Sequence, residues 1–348
     1  MRIAITTVQV PFVSGGAEYH ANGLLQACKD RGHDAEIVTT PFRFDPAQEV
    51  FRSINFWETV NFQVVNYYYN PDIVMCLKFP TYYLKHYHKV VWLLHQHRDV
   101  YDLWDVRKKM GCILSKEDDT LKSTIAEKDK YYLENCHALF TNSVNVSNRL
   151  KLFSGLSGTA LYHPPPLANE IYSAETSQPF IFAPGRLEPF KRIDLLIDAM
   201  RLVGSNVKAV IVGDGSMDWN LQDYVVCSGL QDRVQFLGWV SKKRLIDLYA
   251  NCMCVFFGPY DEDYGYITLE AMLASKPVIT CTDSGGPLEF VIHEETGYVV
   301  EPCPEAVADA IEKLCINPEM AQKMGKAGYD HYQGLDLSWQ HVLDCLLC

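Results

Sequence analysis

Two carboxylates, Glu262 and Glu270, bracket a glycine turn in the stretch Pro259-Tyr260-Asp261-Glu262-Asp263-Tyr264-Gly265-Tyr266-Ile267-Thr268-Leu269-Glu270-Ala271-Met272. A helix beginning near Tyr266 or Ile267 puts Glu270 on the helix and Glu262 at the loop mouth, with first-turn N–H groups between them that have no intrahelical acceptor. Carboxylates accept hydrogen bonds from paired hydroxyls, and helix N-terminal amides bind phosphate. The pattern therefore suits a ligand with a polyol at each end and a diphosphate in the middle. Either residue alone reads equally well as a loop acid or a structural helix Glu.

A second cluster, Gly185-Arg186-Leu187-Glu188-Pro189-Phe190-Lys191-Arg192, sets three cations on the turn after an apolar run. A guanidinium fork and an ammonium point charge would meet a phosphate together with the positive end of the next helix. Taken alone, the cluster also reads as a solvated helix start. Glycines recur at turns after apolar runs: Gly15-Gly16, Gly185, Gly213 with Gly215, Gly265, and Gly285-Gly286. Ser14-Gly15-Gly16-Ala17-Glu18 lacks the G-x-G-x-x-G spacing of dinucleotide binders, which argues against a nicotinamide enzyme. His95 and His97 end another apolar run, with no third ligand at metal-binding spacing. Asp261-Glu262-Asp263 resembles a D-x-D metal motif, but Arg186 and Lys191 can neutralise a diphosphate without a cation, so no metal and no cofactor is expected.

These residues require strands and helices to hold them. Arg2 to Val8 reads as a strand, Tyr19 to Arg31 as a helix with Ala21, Leu24, Leu25 and Cys28 on one face, and Ala35 to Thr39 as a second strand. Further apolar runs at Ile73–Leu77, Val90–Leu94 and Ala138–Thr141 leave room for helices between them, the pattern of a parallel sheet. His163-Pro164-Pro165-Pro166 and the polar stretch from Asn169 to Pro179 form a linker. The alternation then restarts with strands at Phe180–Ala183, Ala209–Val212, Val234–Leu237, Cys254–Phe257, Pro277–Thr280 and Tyr298–Val300. Helices fall at Ile193–Leu202, Lys242–Asn251 and Thr268–Ala274. The fold class is α/β, with two Rossmann-like domains and the ligand expected in a cleft between them.

At 348 residues, with 48% hydrophobic and 21% charged residues, the chain can build two domain cores and is neither disordered nor fibrous. Its net charge of −12 repels nucleic acid, so no nucleic-acid partner is expected. No run reaches the ~18 apolar residues of a membrane span, and the start lacks a secretory cleavage site. The 12 cysteines, several within apolar runs, read as reduced core thiols of a cytoplasmic protein, and Cys345-Leu346-Leu347-Cys348 as a chance C-x-x-C. Between Lys85 and Lys151 the balance is +3, and Arg107-Lys108-Lys109-Met110 beside Trp104 reads either as a contact for an anionic membrane surface or as a solvated helix face. Asp99, Asp102 and Asp105, at i, i+3 and i+6 after His95, are candidates to line an acceptor pocket.

The E-x7-E of Glu262 and Glu270, with Gly265 and Ala271-Met272, resembles the signature of retaining glycosyltransferases of family 4, which have the GT-B fold. Gly15-Gly16-Ala17-Glu18 with Gly32-His33, Asn142-Ser143, Gly185-Arg186-Leu187 with Lys191, Gly213-Asp214-Gly215, Phe236-Leu237-Gly238-Trp239-Val240, Lys276-Pro277-Val278 and Gly285-Gly286 through Thr296-Gly297 agree in kind and order. The resemblance implies a GT-B protein with an acceptor-side domain at residues 1–166 and a nucleotide-sugar domain at 167–330. A C-terminal helix within 331–348 would pack back on the first domain. It implies that Glu262 contacts donor sugar hydroxyls and Glu270 the ribose diol. The amides of Tyr264, Gly265, Tyr266 and Ile267 would meet sugar and phosphate, and Arg186 and Lys191 would neutralise the leaving diphosphate. Gly15 and Gly16 would approach it from the first domain, Gly238 to Val240 would lie near the base, and His95 near the sugar. Arg192 departs from the glycine many members carry after the Lys.

The expected activity is transfer of a hexosyl group, with retained configuration and no metal, from a nucleotide sugar to a hydroxyl of a saccharide or lipid-linked acceptor, in polysaccharide or glycoconjugate biosynthesis. UDP-glucose is the first donor expected, with GDP-mannose and UDP-N-acetylglucosamine behind it. Two alternatives stay open, a sugar-nucleotide epimerase on the same fold and a non-catalytic sugar-nucleotide-binding protein.

Overall fold

The computed structural model describes residues 1–62, 70–109 and 111–348, and the chain divides into two compact units, Met1–Pro166 with Ser338–Cys348, and Leu167–Leu337. In the first unit β1 (Arg2–Gln9), α1 (Gly16–Asp30), β2 (Asp34–Pro41), α2 (Ala47–Thr59), β3 (Ile73–Cys76) and β4 (Lys89–Leu93) are followed by α3 (Trp104–Lys109), α4 (Lys116–Glu134), β5 (Ala138–Thr141), α5 (Val144–Ser154) and β6 (Thr159–Ala160). The strands pair in parallel in the order β2-β1-β3-β4-β5-β6. Along β1, Ile3 and Ile5 join one apolar cluster and Ala4 and Val8 another, so both faces of the sheet are covered, as parallel sheets require. Ser143 caps α5, its Oγ accepting from the Val146 N–H at 3.1 Å, and Gly155 at φ 71° closes that helix in the left-handed conformation.

The second unit runs β7 (Phe180–Pro184), α6 (Ile193–Leu202), β8 (Lys208–Val212), α7 (Asp218–Cys227), β9 (Val234–Phe236), α8 (Lys242–Asn251), β10 (Cys254–Phe256), α9 (Tyr266–Leu273), β11 (Val278–Cys281), β12 (Gly297–Val300), α10 (Pro304–Ile316) and α11 (Pro318–Gly334). Its six parallel strands lie in the order β12-β11-β10-β7-β8-β9. Strand order reverses between β7 and β10, the switch point at which open α/β sheets bind ligands. In α6 the residues Ile193, Leu196, Ile197 and Met200 repeat at helical spacing and are all buried against the sheet.

Beyond α11 the chain rejoins the first unit through α12 (Trp339–Leu346), capped by Ser338, whose Oγ accepts from the His341 N–H. Val342, Leu343 and Leu346 share a core with Ala21, Leu24 and Cys28 of α1, and Arg31 pairs with Asp344 at 2.6 Å. The returning segment starts at Ser338 rather than at residue 331, because α11 continues to Gly334 within the second unit. Trp339 lies over Gly23, where a Cβ would sit 2.3 Å from the indole. Among the described residues, no helix is long and apolar enough to cross a membrane.

Candidate functional site

The site residues of the second unit gather at its switch point. Gly185 follows β7 with φ +132°, and a Cβ there would stand 3.2 Å from Ile267 Cδ1, so the turn after β7 lies against the first turn of α9. Gly213, at the end of the neighbouring β8, has φ +127°, and a Cβ would meet the Gly185 carbonyl oxygen at 1.9 Å; only glycine lets these two backbones approach. Gly213 N–H donates to the Gly238 carbonyl at 3.0 Å, which ties the Gly238–Val240 segment to the same edge of the sheet. Trp239 in that segment is 81% exposed.

Gly265 is the N-cap of α9 at φ 92°, so the amides of Tyr266 and Ile267 open the helix as the sequence spacing predicts. Glu262 is fixed before it by its own backbone, its N–H donating to Ser284 C=O at 2.9 Å and its C=O accepting from Gly286 N–H at 2.8 Å. Tyr264 is buried, with its ring edge-on to Tyr266 and Phe290. The Lys191 ammonium lies 2.5 Å from Glu262 Oε2 and 5.4 Å from the centroid of the Phe257 ring. That direct pair between the expected phosphate ligand and the expected sugar ligand has no counterpart in the sequence reading, which gave the two residues to different parts of the donor. Arg186 is exposed, and its guanidinium has no ion-pair partner among the described residues.

Arg192 has a different task from its neighbours. Its Nε donates to Gly258 C=O at 2.9 Å, one terminal nitrogen to Pro259 C=O at 2.6 Å, and the fork grips Asp283 at 2.6 and 3.1 Å. With Tyr260 N–H donating to Phe190 C=O at 2.8 Å, it fastens the turn after β7 to the loop before α9. This answers what the extra cation does: it is a clamp, committed to protein acceptors.

Glu270 sits inside α9 at 8% exposure, and its Oε2 accepts from Tyr249 OH at 2.7 Å. Burial pushes its carboxyl up to about 7, against the opposing effect of the tyrosine hydrogen bond. Asp261, Glu262 and Asp263 do not form a metal cage, and no group of three metal-ligating side chains occurs among the described residues.

In the first unit, Gly15 caps α1 and its N–H donates to Glu18 Oε2 at 2.8 Å, so this amide is already spent on the helix start; Gly16 is the first residue of the helix. His95 is half-buried beyond β4, its Nδ1 2.6 Å from the Gln96 carbonyl oxygen, which makes Nδ1 the protonated nitrogen. His97 is buried, stacked on Phe79 at 4.9 Å and Phe44 at 5.9 Å, and burial pushes it down to about 3, so it is a neutral core residue. The aspartate series after His95 does not stay together: Asp102 pairs with Arg98 at 2.6 Å and Arg149 at 3.4 Å, while Asp105 faces solvent. Trp104 is buried, with the Lys108 and Lys122 ammonium groups 5.2 and 4.4 Å from its ring; Met110 of the same basic stretch lies outside the described residues.

Sequence reasoning missed one constellation. Asp129 on α4 is fully buried and accepts from Tyr82 OH at 2.8 Å, Tyr83 OH at 2.6 Å, Tyr101 OH at 2.9 Å and Gln96 Nε2 at 3.0 Å. Burial raises its carboxyl above the usual range while the four donors pull the other way. The donors come from three separate stretches of chain, and only the Tyr-Tyr doublet could have hinted at it.

Residues 168–331 match the family described as glycosyl transferases group 1. Over 108 residues the chain is 42% identical to the human alpha-1,3/1,6-mannosyltransferase ALG2, covering 31% of this chain and 26% of that protein. Over 170 residues it is 34% identical to the D-inositol 3-phosphate glycosyltransferase of Mycobacteroides abscessus, 47% of this chain and 37% of that one. The chain thus aligns with only about a quarter to a third of the length of these curated relatives. In structure it is similar to the sucrose-phosphate synthase of Thermosynechococcus elongatus, with TM-score 0.81 at 21% identity over 99% of this chain and 97% of that one. It is also similar to HepE of Anabaena in complex with UDP-glucose, with TM-score 0.72 at 16% identity over 100% and 98%. Both chains thus share its two Rossmann-like domains, the GT-B fold, and the stretch similar to group 1 glycosyl transferases, residues 168–331, takes in nearly all of the second unit.

Proposed function

We propose that this protein is a retaining glycosyltransferase of family 4 that moves a hexosyl group from a nucleotide sugar to a hydroxyl of a saccharide or lipid-linked acceptor. The observation that carries the reading is the Lys191–Glu262 contact at the switch point, beside the N-terminus of α9 and the exposed guanidinium of Arg186. A sugar diphosphate needs cations and oriented amides on its phosphates and a carboxylate on its hydroxyls, and all three stand within one unit here.

In this reading the leaving diphosphate takes Lys191 and Arg186 as its counter-charges together with the first-turn amides of α9, without a metal. Charge developing on the leaving oxygen is stabilised by groups already in position. Lys191, paired with Glu262 beforehand, exchanges part of that contact for phosphate, and Glu262 turns to the sugar hydroxyls. The leaving phosphate oxygen takes the acceptor proton on the same face, so no side chain acts as nucleophile and configuration is retained. Glu270 is assigned to the ribose diol and Gly238 to Val240 to the base; Gly15, Gly16 and His95 keep the donor-side roles that the family resemblance gives them. The donors to assay are UDP-glucose first, then GDP-mannose and UDP-N-acetylglucosamine.

Lys191→Ala and Glu262→Ala are each expected to lower kcat/KM by roughly 10²- to 10³-fold while leaving the melting transition near that of the parent. Initial rates with a panel of nucleotide sugars, with and without chelator, check this; near-normal turnover in either variant, or loss of turnover on chelation, would overturn the reading.

A further inference from the structure

The opposite end of the second sheet, where its strands begin, holds a cavity of about 760 Å³. It opens between Pro179, Val207, Met253 and Pro277, which immediately precede β7, β8, β10 and β11, whereas the turns of the donor site follow those strands. The two sites are thus at opposite ends of the same sheet, and the cavity belongs to no part of the reading above.

One wall carries a buried cation. Lys276 is 3% exposed, and its ammonium has a single partner among the described residues, Ser177 Oγ at 2.8 Å. A lysine has three N–H donors and needs a counter-charge when buried. Glu175 and Glu319 also line the cavity, yet neither comes within 4.0 Å of this ammonium, and Lys326 on the far wall is already paired with Asp330 at 3.1 Å. The rest of the lining is rich in neutral donors and acceptors, among them Thr176, Asn206 and Gln322, with the half-open ring of Tyr329 beside them. Burial also holds the Lys276 ammonium below the usual lysine range.

We propose that this cavity is a second ligand site, for a small polyhydroxylated anion of the sugar-phosphate or sugar-acid class, with Lys276 and Ser177 on the anionic group and the amide and hydroxyl side chains on the hydroxyls. A volume of this size accommodates a mono- or disaccharide, and aromatic rings such as Tyr329 commonly cover sugar faces through their apolar surface. The site does not depend on the donor chemistry.

Calorimetric titration of the full chain tests it with four probes: glucose 6-phosphate, glucuronate, glucose and inorganic phosphate. Glucose 6-phosphate or glucuronate should bind saturably, and the tighter of the two identifies the anionic group, while glucose and phosphate alone should bind at least tenfold more weakly. Lys276→Met should weaken the acidic probe by roughly 10- to 100-fold, the loss of a charged hydrogen bond. The Arg186→Ala/Lys191→Ala double variant should bind it unchanged. Should Lys276→Met fail to fold, Gln322→Ala and Tyr329→Ala, both at exposed positions of α11, are each expected to weaken binding several-fold. No saturable binding of either acidic probe, undiminished binding in Lys276→Met or in both α11 variants, phosphate binding as tightly as the sugar phosphate, or loss of binding in the Arg186/Lys191 double variant would each overturn the proposal.

Discussion

At the scale of single residues, Lys191 and Arg192 are adjacent in sequence and divided in purpose. Lys191 is poised on a carboxylate that a ligand can replace, whereas Arg192 is held by two carbonyls and both oxygens of Asp283. Arg192→Ala should therefore cost about 1–3 kcal/mol by leaving partly buried acceptors unpaired, and chemical denaturation will measure it. Arg192 also holds φ 51°, so Arg192→Gly should be less harmful than Arg192→Ala. Glu270 gives a prediction with a sign. Its folded-state value of about 7 lies above the ordinary 4.5, so the native state binds the proton more tightly and stability falls as pH rises from about 4.5 through 7. Glu270→Gln should flatten that slope, seen as melting temperatures across the interval. Placement was legible where spacing exposed it: Glu270 lies on the helix after the glycine turn and Glu262 in the loop before it, close to Lys191. It was illegible where partners are remote in the chain: nothing local to Arg192 announces Asp283, and nothing near Asp129 announces Tyr101.

At the scale of elements, the six strands of the second unit and its helices α6, α8 and α9 followed from apolar periodicity and glycine stops, because a parallel sheet covered on both sides writes its strands as short apolar runs, whereas α7, α10 and α11 did not. The helix after the acid loop begins at Tyr266, where the free-amide argument needs it, rather than at Thr268 as apolar runs alone suggested. The return helix was harder to bound, since α11 and α12 are both amphipathic and only Leu335 to Leu337 separate α11 from the Ser338 cap of α12. Their junction turns on which core each face meets. Gly23 is where α12 presses most closely on α1. Gly23→Ala gains about 1 kcal/mol of helix propensity yet must displace the Trp339 ring, so a net loss of stability is expected, with overpacking costing about 1–3 kcal/mol. Thermal melting of this variant and of Gly23→Ala/Trp339→Ala will show whether removing the ring restores the loss.

At the scale of the whole molecule, the two units keep separate cores, and the first is assembled from both ends of the chain. Deleting 338–348 should uncover Leu24, Ala21 and Cys28 and loosen the first sheet while leaving the second intact. Hydrogen exchange followed by mass spectrometry is the measurement: peptides from β1 and α1 should lose protection and those from β7 to β12 keep it. Uniform loss across both units would contradict the division.

A chain that leaves one unit at Pro166 and comes back to it at Ser338 makes the other unit an insert with two seams. Such a cassette can be exchanged between relatives by cutting at those seams alone, without touching a strand or a helix. Under the proposed function, chimaeras built this way would reveal which of the two parents dictates the choice of activated sugar, and which the molecule that receives it.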